Sequence, residues 1–135
     1  MTEPCRAEKR NLTGVWNGLY TYRDGHATSF VATLIEFGRS LYGTTHEPSA
    51  TGGAGAMLLA SLAGARSDSA VTFTKTYERP DALHRSPIRY EGALNGEGTE
   101  IEGRWTIMHF WSGKFLMVRS SGQEVKAERK AHART

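Results

Sequence analysis

Apolar and polar positions along the chain alternate in short segments with a period of two, the pattern of strands that bury one face. Eight such segments are separated by turn-forming residues: 12–22, 28–37, 40–47, 56–65, 70–78, 87–94, 99–108 and 114–121. Arg23-Asp24-Gly25, Gly38, Pro80-Asp81 and Asn95-Gly96 punctuate them, and Asn95-Gly96 is the strongest hairpin signal of the set. "PSATGGAG" after the third segment reads as a loop, as does "HFWSG" before the last. Segment 56–65, "AMLLASLAGA", is the exception, because Ala, Leu and Met favour helix. A short helix packed on a sheet is the alternative there. Its place between two strands, with a tight "RSDS" turn after it, predicts a strand.

The alternation also assigns faces. Glu102, Arg104 and Thr106 oppose Ile101, Gly103, Trp105 and Ile107, and Arg89 and Glu91 oppose Ile88, Tyr90, Gly92 and Leu94. Thr72, Thr74 and Thr76 oppose Val71, Phe73, Lys75 and Tyr77. The apolar sets point inward. On the first segment this logic turns Gly14, Trp16, Gly18, Tyr20 and Tyr22 inside. Glycine on an inward face permits sharp bending and close backbone approach, as a small closed barrel requires. Trp16 can then plug one end, with Gly18 leaving room beside it. The predicted fold is all-β, an eight-stranded antiparallel up-and-down β-barrel, a size that holds one small ligand or is filled by its own side chains.

Composition narrows the class. The 135 residues suit one domain with a real core, and no run is long enough to be a membrane-spanning helix. The barrel is expected over 11–122, flanked by a solvated polar tail at 1–10 and a basic tail at 123–135. The opening residues lack the apolar core of a signal peptide, which makes the cytoplasm the expected location. A single cysteine, Cys5, allows no internal disulfide and no cysteine metal site. The net charge of +3 comes from 17 basic and 14 acidic residues. The first tail holds three basic and two acidic of these and the second four and two, which leaves ten of each over 11–122. A neutral folded domain argues against nucleic acid, which needs a basic patch on the folded face.

With the segments laid out, the chain resembles the calycins, the superfamily of avidins, lipocalins and fatty-acid-binding proteins. Their G-x-W on the first strand and basic residue on the last match Gly14-Val15-Trp16 and Arg119. The avidin family gives the longer likeness. "SLYGTTHE" resembles its L-T-G-T-Y-E-S stretch, "FTKTY" its W-K-N-N-Y stretch and "IEGRW" its I-N-T-Q-W stretch, and Trp111 precedes Arg119 at the spacing of the avidin loop tryptophan and terminal aspartate. The resemblance implies a barrel that binds a small molecule between aromatic walls, with Phe73, Trp105 and Trp111 at similar places. It does not imply tight biotin binding. At the ureido-gripping positions stand Gly18, Tyr22, Thr45, Glu47 and Arg119, of which only Thr45 and Glu47 fit as polar contacts, and Arg119 inverts the charge.

Candidate chemistry follows from the inward faces. Lys75, between Phe73 and Tyr77, can pair with a ligand carboxylate or act as an amine nucleophile; alternatively its stem packs and its head reaches water. Arg119 either clamps an anion or stacks on Trp16 as a structural plug. Glu36 and Glu47 are candidates to neutralise one of these cations. Buried phenols need partners, so Tyr20, Tyr22, Tyr77 and Tyr90 together suggest a polar-lined cavity. The five histidines show no metal spacing, and no nucleophile elbow or phosphate loop is present. "LTGVWNG" is also similar to the start of nitrobindin-like haem barrels, for which His109 or His46 would be the ligand. A lone histidine near a turn is ordinarily solvated, so no cofactor and no metal are expected.

These readings predict a protein that binds a partly apolar or anionic small molecule, lined by Tyr20, Tyr22, Thr45, Glu47, Phe73, Lys75, Tyr77, Tyr90, Trp105 and Trp111. An isomerase or lyase using Lys75 with a tyrosine is one alternative, and an interaction module with a filled core is another. Phe30, Ala32 and Leu34 oppose Val31 and Ile35 on one strand, and Phe115 and Met117 oppose Leu116 and Val118 on another. With segment 56–65 apolar throughout, apolar faces are left on the outside of the barrel. Such a wall needs cover, which predicts a homo-oligomer, dimer or tetramer, as avidins form.

Overall fold

The computed structural model describes residues 11–48, 57–78, 86–108 and 111–120. Among these, eight strands run in chain order around a closed antiparallel barrel: β1 (Gly14–Thr21), β2 (Ala27–Phe37), β3 (Ser40–Pro48), β4 (Met57–Ser67), β5 (Ala70–Tyr77), β6 (Ile88–Leu94), β7 (Glu100–Ile107) and β8 (Trp111–Ser120). β1 pairs with both β2 and β8, so closure leaves no exposed sheet edge. No described helix is long and apolar enough to cross a membrane. The predicted tails, the Pro80-Asp81 turn, and His84, His109 and His132 lie outside the described residues.

Two segments show how pairing decides what composition leaves open. The helix-prone stretch is β4, an 11-residue strand laddered to β3 from Ser40↔Ala65 through Pro48↔Met57 and to β5 from Ala60↔Tyr77 through Ser67↔Ala70. Two ladders satisfy its backbone and turn Ala60 and Leu62 into the core, which outweighs a helix preference of tenths of a kcal/mol per residue. β8 begins at Trp111, before the predicted 114, because Gly113 continues the ladder opposite Trp105. The Trp105 indole lies across Gly113 and donates to the Thr21 carbonyl at 2.9 Å, so a side chain there would displace it.

The core follows the alternation. Trp16, Tyr20, Phe73, Lys75, Tyr77, Tyr90 and Trp105 all turn inward and are buried. The inward Gly18 does not leave open room. The Phe30 ring, opposite it in register, occupies the place a Cβ would take. Leu116, on the face opposite Phe115 and Met117, is only 6% exposed and so is covered by its own chain. The exposed apolar wall instead lies over β2–β4, where Val31, Ile35, Tyr42 and Leu59 face out.

The two ends of the barrel differ. Short turns at 38–39, 68–69 and 95–99 gather at one end, with Gly38, Asp68 and Gly98 in the left-handed region. Leu12 and Trp16 fill that end; the Trp16 indole donates to the Leu12 carbonyl at 2.9 Å, and the Leu12 amide donates to Glu36 at 2.8 Å. Glu36 in turn pairs with Arg66 at 3.0 Å rather than with Lys75 or Arg119. The Arg119 guanidinium lies 4.7 Å from the Trp16 ring centre and donates to the carbonyls of Asn11, Thr13 and Gly98. Arg119 therefore packs on Trp16 at this end. β3 and β5 end, and β4 and β6 begin, at the opposite end.

Candidate functional site

At that opposite end, β1, β3 and β5 each finish with inward polar groups. Tyr20 comes from β1, Glu47 from β3, and Lys75 and Tyr77 from β5. None of these three strands pairs with another of them, but inward side chains of alternate strands share a layer in a small barrel. They converge on one carboxylate. Lys75 Nζ donates to Glu47 Oε1 at 2.5 Å, Tyr77 Oη donates to the same oxygen at 3.0 Å, and Tyr20 Oη donates to Oε2 at 2.5 Å. Glu47 is 2% exposed and Lys75 1%. The lysine head therefore does not reach water.

The rest of the ammonium's surroundings is aromatic. Nζ lies 4.9 Å from the ring centres of Tyr20 and Tyr77, 5.3 Å from Phe30 and 5.9 Å from Tyr90. Ring faces at such distances attract a cation, most strongly where water is excluded. Burial lowers the Lys75 ammonium's pKa, and the Glu47 charge and hydrogen bond oppose that shift without cancelling it. The phenols of Tyr20, Tyr77 and Tyr90 are raised above the ordinary tyrosine value, chiefly by burial. For Tyr20 and Tyr90 the neighbouring Tyr77 is the next cause, ahead of the Glu47 charge, which comes second for Tyr77 itself. An ion pair this deep is a poor device for stability, since desolvating both charges offsets most of their attraction.

Thr45 stands two residues before Glu47 on the same inward face. It is fully buried, and its hydroxyl has no hydrogen-bond partner among the described residues. In register beside it are Ala32 of β2 and Ala60 of β4, so three short side chains stand in a row. A buried hydroxyl without a partner costs about 1–3 kcal/mol, a penalty that a ligand's polar group would remove.

The remaining predicted residues sort by depth. Phe73 and Tyr90 stack at 4.9 Å in the aromatic core, against Phe115. Trp105 and Tyr22 meet edge to face at 5.4 Å at the rim, where Tyr22, expected inside, is 43% exposed. Trp111 is 66% exposed at the start of β8. Phe30 was not among the predicted lining residues, and its place opposite Gly18 comes from the strand register. His46, a candidate haem ligand, is exposed on the outer face of β3, and His26 is an exposed partner of Asp24 at 2.8 Å. Among the described residues, no three His, Cys, Asp or Glu side chains gather as a metal site.

The chain is similar in fold to designed β-barrels. A redesigned barrel, b11L5F_LGL, superposes with a TM-score of 0.68 at 13% identity, covering 82% of this chain and 92% of that one. The redesigned barrel mFAP1, solved bound to DFHBI, gives 0.64 at 12% identity, covering 83% and 97%. Its relative mFAP0, also bound to DFHBI, gives 0.61 at 14% identity, covering 80% and 98%. No protein-family model and no curated protein sequence matches the chain. At such identities the likeness is one of architecture: a closed eight-stranded antiparallel barrel.

Proposed function

We propose that this barrel binds a small, partly apolar, uncharged molecule in the half that contains Thr45, Glu47 and Lys75. The observation that carries the reading is an unpartnered, buried Thr45 hydroxyl two residues from a fully buried ion pair. Neither feature serves stability, and groups of this kind concentrate at binding and reaction sites. Charge balance selects the ligand class. Glu47 already neutralises Lys75, so an anionic ligand would leave an uncompensated buried charge, whereas a neutral hydroxyl or carbonyl compound would not. Tyr20, Tyr77, Tyr90 and Phe30 supply apolar walls, and Tyr22, Trp105 and Trp111 stand where such a molecule enters. Designed barrels of this fold that hold DFHBI support the view that the architecture can accept a ligand. A calycin relationship is part of the proposal, supported by Arg119 stacked on the tryptophan of the G-x-W.

The test is Thr45→Val. Replacing a partnerless hydroxyl by a methyl leaves stability unchanged or raises it by about 1 kcal/mol. Binding of a neutral aromatic alcohol such as para-dimethylaminobenzyl alcohol, measured by calorimetry, is expected to weaken about tenfold. Equal binding by wild type and variant would remove Thr45 from the site. No binding of the alcohol or of related neutral probes would remove the reading itself.

A further inference from the structure

We propose that Lys75 captures apolar aldehydes covalently, as a protonated Schiff base with Glu47 as its counter-ion. The inference rests on the barrel interior being a ligand site, and it names the class of ligand. Among the described residues, Lys75 is the lysine that points into the barrel, whereas Lys114 is exposed on β8. An amine becomes a nucleophile only after losing a proton, and Glu47 Oε1, 2.5 Å from Nζ, is placed to receive it. Tyr20 and Tyr77 fix that carboxylate from both oxygens, so it stays beside Nζ while other atoms move. Burial, which favours the neutral amine, acts in the same direction.

The electrostatics of the product match those of the free site. A Schiff base made from an aldehyde keeps one positive charge on nitrogen, so the site exchanges ammonium plus carboxylate for iminium plus carboxylate. No new buried charge is created. The four rings at 4.9–5.9 Å from Nζ surround the cation in either form and exclude the water that would hydrolyse it. A carboxylic acid ligand would not react and would add a second negative charge.

The step balances without an oxidant. The ammonium passes one proton to Glu47, and the nitrogen lone pair attacks the carbonyl carbon, forming the N–C bond as the carbonyl π electrons move to oxygen. Proton transfers between nitrogen, Glu47 and that oxygen give the carbinolamine, and the C–O bond then breaks. Oxygen leaves as water with two of the three ammonium protons. The third stays on the iminium nitrogen, and Glu47 ends as it began.

The experiment is reductive trapping on the full chain with para-dimethylaminobenzaldehyde and cyanoborohydride, followed by peptide mapping. The matching benzyl alcohol, which cannot react, reports binding separately. The expected result is one label on Lys75, formed in preference to Lys114, with a red-shifted protonated-imine absorbance before reduction. Glu47→Gln is expected to slow the labelling about a hundredfold, the scale of a lost general acid–base. Because mapping is done on wild type, the test survives a variant that fails to fold. Alcohol and aldehyde that bind without labelling Lys75 would overturn covalent capture and leave the ligand site standing. Labelling of Lys114 equal to that of Lys75, or no binding of either probe, would overturn it as well.

Discussion

Glu47 and Lys75 meet at 2.5 Å inside the barrel although β4 separates their strands and 28 residues separate them in the chain. The contact is made by the curvature of the closed sheet, which aims inward residues of alternate strands at one another. It joins the fold to the site: closure creates the pair, and the pair places charge where a ligand would lie.

Removing one partner leaves the other charge buried. Lys75→Met and Glu47→Gln are each expected to lower stability by about 3–5 kcal/mol. In the double variant no charge is buried, and the carboxamide that replaces the Glu47 carboxylate can accept from one tyrosine hydroxyl and donate to the other. It is expected to unfold at higher urea than either single variant. Additive losses in the double variant would show that the two side chains do not depend on each other.

The barrel itself was legible because β1 to β7 keep the period of two, from Trp16 and Tyr20 on β1 to Ile101 and Trp105 on β7, and only β8 departs from it, at the buried run Phe115-Leu116-Met117. The start of β8 was not, since Trp-Ser-Gly reads as loop until a neighbour's indole is known to lie on Gly113. Lys75, Glu47 and Thr45 were each visible as inward polar groups, but their relationships were not. Alternation gives the side of a sheet, and says nothing of which residues meet across a lumen. For that reason Glu36 proved to be the partner of Arg66 at the plugged end.

Gly18 is a seat for the Phe30 ring, since a Cβ would lie within that ring's atoms. Gly18→Ala is expected to cost about 2–3 kcal/mol by overpacking. Adding Phe30→Leu, which takes the ring away, should recover part of the loss. A double variant no better than the sum of its parts, by thermal unfolding, would contradict this.

Alkaline pH should unfold the barrel through its buried phenols. Tyr20, Tyr77 and Tyr90 have folded pKa values raised above the ordinary 10.0, so the folded state holds protons that the unfolded state releases. Their contribution is full below pH 10.0 and is lost as pH rises through the raised folded values. Phenolate absorbance from these three should grow together with loss of the β-sheet circular dichroism. Ionisation of all five tyrosines with the sheet intact would contradict their burial.

The exposed wall of β2–β4 sets Val31, His46 and Leu59 in one cross-strand row and Ile35 beside Tyr42 in another. Self-association through this wall is expected, with Leu59→Lys shifting sedimentation toward monomer without changing unfolding by more than about 0.5 kcal/mol. Wild type that sediments as a monomer at every concentration would oppose it.

The most direct measurement is amide chemical-shift mapping of isotope-labelled protein titrated with para-dimethylaminobenzyl alcohol. Shifts concentrated at Tyr20, Thr45, Glu47, Lys75 and Trp105, with Leu12, Trp16 and Arg119 nearly still, are the predicted result. Shifts confined to the outer wall of β2–β4, or to the plugged end, would contradict the placement of a ligand site around Glu47 and Lys75.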